Sequence, residues 1–200
     1  DDLEVEIAQA FQGDIPSASL EEGRQRGLIE DIDPANPYLA HVANLVDLDA
    51  IRSSGLKVAV DAMYGAGAGY IPRLMADGLP GLVELHSERN PIFPGMKQPE
   101  PVAHNLTDLS KHVVANSCDV GIALDGDADR AGIVDEQGKF ISTLETFALL
   151  CLYLLDTRQL RGPLVKSITM TSMIYRLGEL FSVPVHETPV GFKYLGPVMR

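Results

Sequence analysis

Asp125-Gly126-Asp127-Ala128-Asp129-Arg130 packs three carboxylates and an arginine into one short stretch. Carboxylates at i, i+2 and i+4 repel, and left unpaired at least one is driven toward its neutral form. A hard divalent cation removes that conflict. Mg2+ takes carboxylate oxygens in a near-octahedral shell and often keeps a position for a phosphate oxygen. Gly126 and Ala128 have almost no side chain, so the backbone can curl and turn all three aspartates toward one centre. Arg130 adds a planar fork of donors for a phosphate beside the metal. An ordinary solvated acidic turn is the bland alternative, since Asp and Gly are common turn residues. Three alternating aspartates between two apolar runs argue against it. An EF-hand loop counted from Asp125 would end on Glu136, but it puts Arg130 where glycine is required, and its flanks read as strands.

Those flanks, 119–124 and 131–134, are short apolar runs of the buried-strand type. The acidic stretch is therefore a tight turn at a strand end, where open α/β sheets place their ligands. Upstream, a helix is expected from about Tyr38, with Leu39, Val42, Leu45, Val46 and Ile51 on one stripe and Gly55 as its stop. Residues 56–61 form a strand, Gly65-Ala66-Gly67-Ala68-Gly69 a turn, and a helix runs through Leu74 to Gly78. A second strand covers 82–85, and a helix from Val102 to about Ser117 leads into the acidic turn. This alternation predicts a three-layer α/β/α domain with a mostly parallel sheet over residues 36–138.

The pattern then restarts. Ser142 and Glu145 make a capping box, opening a helix apolar nearly all round and hence expected to be buried. A strand at 164–169, a helix at 172–181, a strand at 183–187 and a new helix after Lys193 follow. Residues 139–200 thus read as an incomplete second α/β/α domain, so the fold class is α/β with tandem similar domains. Residues 1–35 read as the tail of a preceding domain, a helix end bearing Leu3, Val5, Ile7 and Phe11, plus a polar linker from Gly13 to Pro34.

Other chemistry is thinner. The glycine turn has G-x-G-x-G spacing rather than the dinucleotide G-x-G-x-x-G, and Glu84 lies mid-strand, so a tight strand-to-helix turn is the better reading. The five histidines show no ligand spacing. Lys193 follows a glycine at a helix start, and spacing alone leaves a phosphate contact and a solvated lysine equally open. Cys118 and Cys151 sit in apolar contexts and read as buried thiols.

The formal charge of −12 and the pI near 4.7 argue against nucleic-acid or anionic-membrane surfaces. With 46% apolar residues and mean hydropathy of +0.06, the chain falls in the soluble globular class. No signal-peptide pattern opens it, and the apolar run 147–155 is too short to span a bilayer, so a cytoplasmic location is expected.

Taken together, Val58-Ala59-Val60-Asp61 with the glycine turn, Asn90-Pro91, Pro99-Glu100-Pro101, the acidic loop and Thr188-Pro189-Val190-Gly191-Phe192-Lys193-Tyr194 resemble, in order, the α-D-phosphohexomutase superfamily. The resemblance covers roughly residues 36–200. It implies a four-domain protein of which this chain holds the second domain and part of the third, with the first and fourth missing. It implies Mg2+, or Mn2+ and Zn2+ as substitutes, on Asp125, Asp127 and Asp129, completed by a phosphoserine of the first domain. Arg130 matches the arginine that contacts the transferred phosphate. Val190, Gly191 and Lys193 match a loop lining the sugar site, and Thr171 and Ser172 are expected to face the same cleft. The implied reaction interconverts hexose 1-phosphate and hexose 6-phosphate through a bisphosphorylated sugar such as glucose 1,6-bisphosphate. A non-catalytic divalent-metal or phosphate-binding α/β module is the competing reading.

Overall fold

The computed structural model describes residues 2–11, 17–75, 78–79 and 81–200. Residues 13–16 of the expected linker and 76–77 of the expected helix after the glycine turn lie outside them. By internal contacts the chain divides into two compact units, Asp1–His41 and Val42–Arg200.

The first unit holds helix α1 (Asp2–Ala10), helix α2 (Leu20–Gln25) and most of α3 (Ala35–Ala43). Leu3, Val5, Ile7 and Phe11, the expected apolar set, are exposed. The described part of the polar linker carries a short helix. Ser19 accepts the Glu22 N–H and starts α2, and Gly23 lets Ile29 close over it, since a Cβ there would lie 2.7 Å from Ile29. Asp33 accepts the Ala35 N–H, which opens α3 three residues earlier than Tyr38.

The long helix expected through Ile51 is in fact two. Asp47 caps a fresh start by accepting the Ala50 N–H, and α4 (Leu48–Ser53) follows. An Asp side chain competes well for a free N–H, so it ends continuity as readily as it begins a helix. Leu45 and Val46, placed on that one helical stripe, lie in the break and are exposed.

Strand β1 (Val58–Asp61), helix α5 (Tyr70–Met75), strand β2 (Val83–Leu85), helix α6 (Thr107–Asn116) and strands β3 (Val120–Leu124), β4 (Ala131–Asp135) and β5 (Phe140–Ile141) build a sheet of order β2-β1-β3-β4-β5. β1 is parallel to β2 and β3, whereas β4 is antiparallel to both its neighbours. Four strands therefore run one way and β4 against them, a mostly parallel sheet. β1 is buried at every residue, as expected of a central strand covered on both faces. Leu106, which caps the start of α6, and Leu109 and Val113 within it pack with Ala59, Met63, Ala123 and Val134 into one core.

Helix α7 (Thr143–Leu152) begins at the expected capping box: Ser142 accepts the Glu145 N–H while Glu145 takes the Ser142 N–H. A π-helical turn follows at Tyr153–Thr157. Then come strand β6 (Leu164–Ser167), helix α8 (Met173–Phe181), strand β7 (Val185–Thr188) and helix α9 (Phe192–Met199). β6 and β7 pair in parallel. Contrary to expectation α7 is not buried all round. Ala148 and Cys151 enter the second core with Ile174, Leu177 and Val183, while Leu144, Leu149 and Leu150 face outward. Its neighbours, α8 and β4, cover only part of its circumference. Among the described residues no helix is long and apolar enough to cross a membrane.

Candidate functional site

The acidic stretch is the hairpin between β3 and β4, whose five paired residues hold both stems. Asp125 N–H donates to the Arg130 carbonyl and Ala128 N–H to the Asp125 carbonyl, closing the turn. Ala128 takes a left-handed φ of 62°, which turns the alternate side chains to one side and is tolerated by so small a residue.

Two neighbouring segments brace it. Gly126 N–H donates to the Pro99 carbonyl and Ala66 N–H to the Gly126 carbonyl. Gly65 is required here: a Cβ would fall 2.6 Å from the Gly126 carbonyl oxygen. Gly132 admits Pro101 in the same way, with a Cβ only 2.8 Å from that ring. The Asn105 amide donates to the Gln98 and Glu100 carbonyls, fixing the Pro99–Pro101 segment in turn. Beneath the glycine turn, buried Asp61 accepts from Met63 N–H and pairs with His86 Nδ1 at 2.9 Å.

In this setting the three carboxylates converge. Asp125, Asp127 and Asp129 each offer an oxygen within 4.8 Å of the others; Asp125 is fully buried, the other two exposed. Arg130 lies across the group. Its N–H and Nε each donate to Asp125, at 3.0 and 2.6 Å, and Nη1 reaches Glu100 at 3.3 Å. Burial pushes the Asp125 carboxyl up, but the Arg130 hydrogen bonds and charge outweigh it and leave the group below its ordinary value. Asp129 is pushed the other way, above its ordinary value, chiefly by the negative charge of Asp127 and then by burial. Arg130 is raised, first through its bond to Asp125. Three hard oxygen donors in one cluster, with mutual repulsion to relieve, suit a hard divalent cation.

The other expected site residues lie on the second sheet, at the carboxyl ends of its parallel strands. Thr171 accepts the Met173 N–H, and exposed Ser172 sits at the start of α8. Val190 is exposed, and Gly191 opens α9 at φ 127°, a conformation that favours glycine. Lys193 is exposed, its Nζ 5.1 Å from the Tyr194 ring centre. The structure thus gathers these five at one strand edge and the four acidic-loop residues on another sheet.

Two features escaped the sequence. Glu84 does take part in the glycine turn: its carboxylate accepts the Gly69 N–H through both oxygens, at 3.0 and 3.1 Å. A carboxylate there occupies the donor a phosphate would need, which removes the nucleotide reading. Lys166, an unremarked strand residue, is buried with only 2% of its side chain exposed. It donates to Glu187, which also accepts the Tyr175 hydroxyl at 2.7 Å, and it lies 5.0 Å from the Tyr175 ring centre. A lysine inside an apolar strand run was the available signal.

Family models agree with this architecture. The alpha/beta/alpha domain II of phosphoglucomutase/phosphomannomutase matches residues 36–138, and domain III matches residues 144–200. The chain belongs to the phosphoglucomutase/phosphomannomutase family, in the α-D-phosphohexomutase superfamily. A Methanopyrus kandleri protein named "Probable phosphoglucosamine mutase" is 30% identical over 197 residues, covering 98% of this chain and 42% of that protein. The phosphoglucomutase/phosphomannomutase of Thermococcus kodakarensis is 33% identical over 165 residues, 82% of this chain and 36% of its own. The crystal structure of a family protein from Burkholderia thailandensis superposes with a TM-score of 0.71 at 25% identity, covering 86% of this chain and 36% of that one. The chain thus spans well under half the length of these relatives.

Proposed function

We propose that this chain is the metal-binding centre of a hexose-phosphate mutase. In this reading the longer protein moves a phosphoryl group between the 1- and 6-oxygens of a hexose through a phosphoserine outside this chain. The observation that carries it is the convergence of Asp125, Asp127 and Asp129 in a hairpin braced by two neighbouring segments, with Arg130 across it.

Asp125, Asp127 and Asp129 would hold Mg2+, with Mn2+ or Zn2+ as substitutes. Bound there, the ion would offset charge on the phosphoryl oxygens. The protein's part is positioning and electrostatics, as phosphoryl transfer requires. The brace from Gly65, Pro99 and Pro101 fixes where the carboxylates stand. Arg130 keeps Asp125 ionised and would supply a donor to a phosphate oxygen. Val190, Gly191, Lys193, Thr171 and Ser172 are assigned to the sugar-phosphate side, with a hexose bisphosphate such as glucose 1,6-bisphosphate as intermediate.

The test uses the longer protein, assayed with glucose, mannose and glucosamine phosphates. Asp127→Asn is expected to lower turnover at least a hundredfold while leaving the melting temperature nearly unchanged, because that side chain is exposed. Full activity with normal metal content in this variant would overturn the assignment.

A further inference from the structure

Beside the acidic hairpin lies a cavity of about 420 Å3 lined by Tyr64, Gly65, Ala66, Arg89, Asn90, Pro91, Phe93 and Gly126. Its size falls in the range of small-ligand sites. Its walls hold no carboxylate. The backbone around it is already spoken for: Ala66 N–H donates to Gly126, Asn90 N–H to Tyr64, and Phe93 N–H to Asn90. The Asn90 side-chain oxygen accepts the Ile92 N–H at 3.0 Å, which fixes the amide's orientation.

Unlike that backbone, the lining side chains keep donors in reserve. Among the described residues the Arg89 guanidinium has no ion-pair partner, although acidic side chains outnumber basic ones by 28 to 16. Among the described residues neither the Asn90 amide nitrogen nor the Tyr64 hydroxyl has a hydrogen-bond partner. Tyr64 and Phe93 both stand at left-handed φ, 60° and 48°. Bulky residues adopt that region only where surrounding structure imposes it, and such positions concentrate at ligand sites.

We propose that this cavity is an anion subsite that takes a phosphate monoester. Arg89 and the Asn90 amide supply the donors, and the Tyr64 and Phe93 rings flank the organic part. Arg is suited to the task because its fork meets two phosphate oxygens at once. The inference goes beyond the mutase reading, since it needs neither bound metal nor turnover. Failure of the Asp127→Asn test would leave it standing.

The experiment is titration of the chain, without divalent metal, by inorganic phosphate, glucose 6-phosphate and unphosphorylated glucose, followed by amide and side-chain NMR shifts. Both phosphates are expected to shift Arg89, Asn90 and Gly126 signals, glucose 6-phosphate more tightly through its ring, and glucose to shift none. Arg89→Ala is expected to weaken binding at least tenfold, and Arg158→Ala, at an exposed arginine after the π-helical turn, to leave it within twofold. Asn90→Asp keeps the oxygen that accepts the Ile92 N–H but replaces the donor with a negative charge, and is expected to abolish binding. Melting curves check that each variant is folded. Binding by glucose alone, no saturable phosphate binding, or an equal loss in Arg158→Ala and Arg89→Ala would each overturn the proposal.

Discussion

Two sheets in this chain each bury a charged residue, and they do so differently. On the five-stranded sheet Asp125 is fully buried and held by an arginine five residues along, in a turn tied to two other segments. On the two-stranded sheet Lys166 is buried but answered by Glu187 and Tyr175 across a single strand pair and one helix. The first charge rests on backbone geometry that several elements enforce together. The second rests mainly on side chains, with one backbone contact, the Ser167 carbonyl at 3.3 Å. Rigidity therefore belongs to the hairpin, and tolerance to the second sheet.

The largest expected effect lies in the cores. Leu109 is fully buried in the first, so Leu109→Ala should cost about 3 kcal/mol in urea unfolding. Leu177 belongs to the second core but also lines an open apolar groove of about 270 Å3, so Leu177→Ala should cost about half as much, near 1.5 kcal/mol, because a site open on one side leaves a smaller cavity. Equal costs would erase the contrast.

Next comes the brace. Gly65→Ala forces a Cβ against the Gly126 backbone and should lose about 2 kcal/mol, with slower-exchanging amides of the hairpin becoming exposed in hydrogen exchange. Gly196 in α9 has open space where a Cβ would go, so Gly196→Ala should gain about 0.7 kcal/mol through helix propensity. A loss there of the size seen at Gly65 would show the second sheet to be as tightly constrained as the first.

The smallest effect is a pH dependence. The hydrogen bond from Lys166, then that from Tyr175, holds the Glu187 carboxyl below its ordinary value of 4.5. A depressed carboxylate stabilises the fold above its unfolded value, and that contribution is lost as pH falls through the folded one. Lys166→Met removes the main cause. Its melting temperature should therefore fall less than that of the parent between pH 6 and pH 3. An identical acid profile in the two proteins would show that Glu187 does not draw on Lys166.

The strands and the acidic loop could be read directly, because runs such as Val58-Ala59-Val60 and an alternating aspartate triplet leave few other arrangements. What could not be read depended on partners distant in sequence. The break before α4 turned on the Asp47 side chain winning a backbone N–H from a continuous helix. α7 looked buried because its composition is apolar, yet how much a helix buries depends on how many surfaces its neighbours present. β5 is two residues long and exists only because β4 offers it an edge. Glu84 and Lys166 acquired roles from residues 15 and 21 positions away, beyond the reach of any local pattern.

The hairpin has a consequence for how such a chain can drift. Because β3 and β4 are paired residue for residue on either side of the aspartates, the loop tolerates exchange of side chains but not a change of length in its stems. One residue gained or lost between Val120 and Leu124 would swap the two faces of the strand. Ala123 would then turn out of the core and the half-buried Leu124 into it. Insertions should therefore accumulate at the exposed tip of the β4–β5 turn, around Glu136 and Gln137, where they leave the phase of both stems intact.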